Sequence, residues 1–167
     1  MRLRQGYTLV ELLIVLSIIS IVSALMVPRV VGHISSMNLR TASQKTIATL
    51  RYARNRAVSE RAIYIVALNF DKRCIVLFKR KNGKTENPSS EKRLYTEKRY
   101  KLPSGVRFEK FITSKEEERK QGIQKMFFFP DGSSSGGKIF LSNTRGQQYL
   151  IQIDFITGLA KLSTVSQ

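Results

Sequence analysis

Between Tyr7 and Pro28 the chain is almost wholly apolar, and a single carboxylate, Glu11, interrupts the run. No other stretch limits the fold so strongly. As a helix rising about 1.5 Å per residue it reaches roughly 33 Å, enough for a bilayer core of about 30 Å. Ser17, Ser20 and Ser23 can bond back to their own helix backbone and do not break the run. A buried helix of a soluble protein is one reading, and the length of the run is against it. A secretory signal peptide shares the basic start, Arg2 and Arg4, but its apolar core is about 7–15 residues long and ends at a small-x-small site. The LMVPRVV that follows Ala24 offers no such site. A retained transmembrane helix fits best, with the N-terminus cytoplasmic because Arg2 and Arg4 favour the inside. The basic C-terminal part does not contradict that orientation, since long domains translocate largely regardless of charge.

Glu11 then needs a reason. An ionisable group near the centre of a spanning segment costs roughly 2.5–3.5 kcal/mol on insertion scales, and such a residue is usually functional. Two readings stay open from the residues alone. Glu11 lies close enough to the interface to reach headgroup water, or it has a positive partner. A cut after Gly6 would supply one, because it would place a new α-amino group on Tyr7, four residues before the acid.

Gly6-Tyr7-Thr8-Leu9-Val10-Glu11, after a short basic leader and before the long apolar helix, resembles the processing signature of type IV pilins and type II secretion pseudopilins. The resemblance implies a prepilin peptidase that cuts between Gly6 and Tyr7 and methylates the new N-terminus at Tyr7. It also implies that Glu11 pairs with the N-terminal amine of a neighbouring subunit as a filament assembles. Tyr7 stands where the family usually has Phe.

Beyond the apolar run, Pro28 is expected to kink or loosen the helix. Leu39, Ala42, Thr46, Leu50, Ala53 and Ala57 then recur at three- and four-residue spacing, one apolar stripe that needs a sheet to pack on. Strands are expected at 62–68 and 73–78, joined by the turn 69–72, and near 106–112, 124–129, 138–141, 148–155 and 159–162. Asn82 to Ser90 reads as a polar loop. The fold class is α+β: a long N-terminal helix, half transmembrane and half amphipathic, packed on antiparallel sheet. The expected divisions are a leader at 1–6, a membrane or filament-core helix at 7–28, an amphipathic half at 29–61 and a β-rich periplasmic head at 62–167. A second resemblance, to the GspH/FimT type of minor pilin, rests on Ala53 to Arg61, on Phe129 to Gly137 with Ile139-Phe140-Leu141, and on Ile153-Asp154-Phe155 with Thr157-Gly158. It implies a head of two small sheets beside the C-terminal half of the helix.

Other motifs have plainer readings. Asp131 to Gly137 lacks the Lys-Ser/Thr ending of a phosphate loop and the carboxylates of a calcium loop, so it reads as a turn between strands. Cys74 is the one cysteine, so no intramolecular disulfide forms, and it reads as a small buried hydrophobe. His33, the one histidine, reads as interfacial. The mixed-sign run Lys115 to Lys120 reads as a solvated helical turn or loop. No nucleophile with a base and an orienting group can be assembled, which argues against an enzyme. No cofactor and no metal site are expected.

The net charge of +17 speaks of partners. Residues 72–110 hold thirteen basic and four acidic side chains, with Phe78, Tyr95, Tyr100 and Phe108 interleaved. Lys79, Arg80, Lys81, Lys84, Lys98, Arg99 and Lys101 are the candidate contacts for DNA or for a protein partner. The main reading is a minor pseudopilin of a type II secretion system, single-pass in the inner membrane and placed near the tip of a periplasmic filament. Its partners would be other major and minor (pseudo)pilins, the prepilin peptidase, the inner-membrane assembly platform, and secreted cargo or DNA. The alternative is a type IV minor pilin whose basic head captures DNA for transformation.

Overall fold

The computed structural model describes residues 8–80 and 96–165. Its chain falls into two compact units, Met1–Ile34 and Ser35–Gln167. Helix α1 spans Leu9–Ser59 and is continuous through Pro28, where one backbone donor is lost without ending the helix.

In the second unit the expected stripe is the buried face of α1: Leu39, Ala42, Thr46, Leu50, Ala53 and Ala57 are all essentially inaccessible. Small side chains dominate it, which lets the helix backbone lie close to its neighbours. The hydroxyls of Ser43 and Thr46 are buried with it, and each donates to the carbonyl four residues back, so neither costs an unpaired polar group. Among the described residues nine strands follow: β1 (Tyr64–Asn69), β2 (Cys74–Lys79), β3 (Thr96–Lys101), β4 (Val106–Ile112), β5 (Glu118–Arg119), β6 (Ile123–Phe128), β7 (Gly137–Asn143), β8 (Gln148–Ile153) and β9 (Ala160–Val165). They form two antiparallel sheets, β3-β2-β1-β6 and β5-β4-β7-β8-β9.

One core joins the three layers. Leu50 and Ala53 of the helix share it with Val66, Leu77 and Phe128 of the first sheet and with Phe108, Ile139 and Ile151 of the second. Central strand β1 is buried along its whole length, because Tyr64, Val66 and Leu68 enter this core while Ile65 and Ala67 meet Phe78 on the other face. In β4, VRFEKFI does not alternate, yet Phe108 and Phe111 both point inward. A bulge between Phe108 and Lys110 absorbs the extra residue, Glu109.

The expected strands are present with ends shifted by a few residues at most. Two strands stand outside the expectation. β3 (TEKRYK) carries almost no apolar alternation and forms through its ladder to β2 at the sheet edge. β5 lies within the run expected to be a solvated turn or loop, and Glu118 and Arg119 pair there with Ile112 and Phe111 of β4. Period-two reading finds a half-buried strand, and an exposed edge strand has no such period. The expected loop at Asn82 to Ser90 lies outside the described residues.

Candidate assembly site and basic head surface

Helix α1 starts at a cap. The backbone amide of Glu11 donates to Thr8 Oγ1 at 3.3 Å, and Glu11 lies in the first turn, where a negative charge suits the helix dipole. Thr8-Leu9-Val10-Glu11 thus has the spacing of a capping box, a signal legible in the sequence beside the processing motif. Every described side chain from Thr8 to Ser23 is exposed. Gly6 and Tyr7 lie outside the described residues. Side chains on this part of α1 are described only as far as Ser23, and among the described residues no helix is long and apolar enough to cross a membrane. His33 is likewise among the side chains not described.

The far end of α1 is built with equal care. Ala62 N bonds to Ala57 O at 3.1 Å and Arg61 N to Val58 O at 3.4 Å, with Arg61 left-handed at φ 47°. That is a Schellman stop with arginine where glycine is usual. Just before it, Glu60 gathers three donors: Arg56 Nη1 at 2.7 Å, Lys79 Nζ at 2.9 Å and the Tyr64 hydroxyl at 2.7 Å. The Lys79 hydrogen bond, then that of Tyr64, hold the Glu60 carboxyl below its ordinary range.

The five described basic candidates do not share one face. Lys79 is engaged with Glu60. Lys98 lies over the ring of Tyr52 at 3.8 Å, on the helix side of the first sheet, and Lys45 lies over Tyr100 at 5.1 Å on the same side. Arg80 is exposed just past β2, and Lys81 and Lys84 lie outside the described residues. Arg99 and Lys101 alternate with Lys98 and Tyr100, pair with Val76 and Cys74, and so project from the opposite face. There they meet the β1–β2 turn and line a cavity of about 470 Å³ with Asp71, Lys72, Arg73 and Cys74. Lys72 and Arg73 were absent from the expected set, although a DKR turn between two strands was the available signal. Cys74 is buried, as expected. Of the interleaved aromatics, Phe78 and Phe108 are 8% and 5% exposed, Tyr100 is partly buried against the core, and Tyr95 lies outside the described residues.

A second constellation lies where the two sheets are joined. The loop after β6 carries the chain from one sheet to the other, as the expected turn between strands. Arg54 Nε donates to Thr157 O at 2.7 Å and to Gly132 O at 3.2 Å. Ser134 ties the same two loops together, its amide to Phe155 O at 3.0 Å and its hydroxyl to Asp154 O at 2.9 Å. Asp131 and Asp154 each cap their own turn, and hydrogen bonds from Ser133 and Thr157 lower their carboxyl pKa values. Among the described residues no cluster of His, Cys, Asp and Glu could hold a metal ion.

Comparison with known proteins follows the same division. Residues 1–27 match the prokaryotic N-terminal methylation motif. Type II secretion system protein H of Xanthomonas campestris pv. campestris is 26% identical over 154 residues, 92% of this chain and 80% of that protein. In fold, the minor pseudopilin EpsH from the type 2 secretion system of Vibrio cholerae superposes with a TM-score of 0.58 at 11% identity, covering 80% of this chain and 98% of EpsH. The chain is similar to the GspH/FimT minor (pseudo)pilins in its N-terminal motif, along most of its sequence and in fold. Type IV minor pilin FimU of Pseudomonas aeruginosa shares the fold too, with a TM-score of 0.51 at 15% identity over 75% of this chain and 92% of FimU. The three segments that carry the GspH/FimT resemblance, separated along the chain, are those that meet at Arg54, Gly132 and Thr157. They mark how the two sheets are closed over the helix.

Proposed function

We propose that this chain is a minor pseudopilin, a structural subunit of a type II secretion filament and not an enzyme. The observation that carries the reading is an apolar helix start whose described side chains, from Thr8 to Ser23, are all exposed, with Glu11 in its first turn, in a chain whose second unit has an EpsH-like fold. Such a face must be covered, by lipid before assembly and by the helices of other pseudopilins after it. The subunit is held in the inner membrane with its head in the periplasm, cut between Gly6 and Tyr7, and methylated at Tyr7. Glu11 then neutralises the amine of an adjacent subunit, and the chain enters the filament near its tip through the assembly platform. DNA capture has less support, since Phe78 and Phe108 serve the core and, on β3, Lys98 lies on one face of the sheet while Arg99 and Lys101 lie on the other.

Intact mass from peptidase-positive and peptidase-negative cells tests the processing, and a leader retained in both would sink it. Glu11→Gln removes the charge while leaving the backbone bond to Thr8 possible. It is expected to be cleaved normally yet to enter filaments poorly, whereas wild-type incorporation of that variant would refute the pairing role.

A further inference from the structure

Among the described residues the two sheets end in four edge strands, and three of these edges are closed to further pairing. In the first sheet, edge strand β3 carries exposed Lys98, Arg99 and Lys101. At the other edge, the loop after β6 takes the outer side: Ser135 N donates to Phe127 O at 2.9 Å, and Phe127 N to Ser135 Oγ at 3.1 Å. In the second sheet, edge strand β5 is two residues, Glu118 and Arg119. Charge, cover and shortness are the usual means by which a sheet refuses another strand. β9 keeps only one such guard, Lys161. It is six residues long and pairs with β8 without a register shift. No described strand pairs with its other edge, and Lys161, Leu162, Ser163 and Thr164 are all exposed.

The pleat gives this open edge two different sides. Leu162 pairs with Ile151, a core residue, so it lies on the core side, yet it is 39% exposed. Lys161 pairs with Gln152, which pairs in turn with Lys138, so that row lies on the outer face and carries two cations. The nearby carboxylate of Asp154 already accepts from the amide and hydroxyl of Thr157, at 2.7 and 2.8 Å. We propose that β9 receives an extended segment of another protein as a sixth strand of this sheet. Backbone bonds supply the affinity, an apolar residue of the guest covers Leu162, and a carboxylate at the adjacent position meets Lys161. A second copy of this chain fits less well, since it brings its own net charge of +17 and its β9 holds no acid. The proposal goes beyond the filament reading and does not depend on it.

The test is binding of a short peptide of alternating valine and glutamate by the full chain in nonionic detergent micelles, read by amide hydrogen exchange. The amides between Lys161 and Thr164 that do not serve the ladder to β8 should exchange freely in the chain alone. With the peptide they should slow about tenfold or more. The same peptide with an N-methylated backbone keeps its side chains and charge but lacks the donors, and it should give no protection. Lys161→Glu should weaken the valine–glutamate peptide about threefold and tighten a valine–lysine peptide by a similar factor, a gain that misfolding cannot imitate. Lys115→Glu makes the same change of net charge in the exposed loop before β5, and the ranking of the two peptides should hold there. Equal binding of the N-methylated peptide, equal shifts in the two charge variants, or β9 amides protected before any peptide is added would each overturn the proposal. Protection that grows with protein concentration alone would overturn it in favour of a second copy.

Discussion

Arg54 holds the backbone of Thr157 directly, its Nε 2.7 Å from that carbonyl oxygen, and shares the same N–H with Gly132 O at 3.2 Å. One side chain on the helix thus fastens the crossover between the sheets and the β8–β9 hairpin at once. Arg54→Ala leaves two carbonyls without their cationic donor, and a loss of about 1–3 kcal/mol is expected. Urea unfolding of the full chain in detergent checks it. Arg54→Lys should recover only part, because an ammonium does not reproduce the direction of Nε–H.

Gly158 permits that closure. Its φ is +62°, and a Cβ there would stand 2.4 Å from Gly132 O, a backbone atom that cannot turn aside. Gly146 is also left-handed, at φ +79°, with nothing within 4 Å of such a Cβ. Gly146→Ala is expected to cost about 1 kcal/mol for the backbone conformation alone. Gly158→Ala should cost clearly more, and equal losses in the two melting curves would show that the contact with Gly132 does not matter.

Arg61 ends α1 in a conformation that disfavours a side chain. Arg61→Gly keeps the two closing bonds, from Arg61 N to Val58 O and from Ala62 N to Ala57 O, and removes the Cβ strain. A gain of about 0.5–1 kcal/mol is expected after the greater entropy of glycine in the unfolded chain is offset. Stabilisation on replacing an exposed arginine would be unusual enough to identify the cap as its cause.

Acid should loosen the end of the helix through Glu60. Its carboxyl is held below the ordinary 4.5 by Lys79, Tyr64 and Arg56, so the folded state binds its proton less readily than the unfolded chain. The stability it contributes is fully present above pH 4.5 and is lost as pH falls through the lower folded value. Glu60→Gln is expected to melt lower than wild type at neutral pH and to converge on it in acid. Parallel curves at every pH would remove Glu60 from the acid response.

The apolar start of α1, the buried stripe from Leu39 to Ala57, and most strands were legible in the amino-acid order. Each of these depends on periods of two or 3.6 residues, or on local composition, which the chain carries regardless of its neighbours. The match to the N-terminal methylation motif lies within one contiguous stretch, residues 1–27, and was legible for the same reason. What tertiary structure alone decided was company. Lys98 and Arg99 are adjacent in sequence, yet one covers Tyr52 and the other lines the cavity with Lys72 and Arg73, because β3 pairs with β2 at the edge of the first sheet. Phe78 and Phe108, spaced among cations, belong to buried clusters because their strands turn those positions inward. Arg54, Gly132 and Thr157 meet only once two sheets close over one helix. Periodicity tells which side of its own element a residue occupies; strand order and layer packing, set by the burial of the whole core, determine what stands on that side with it.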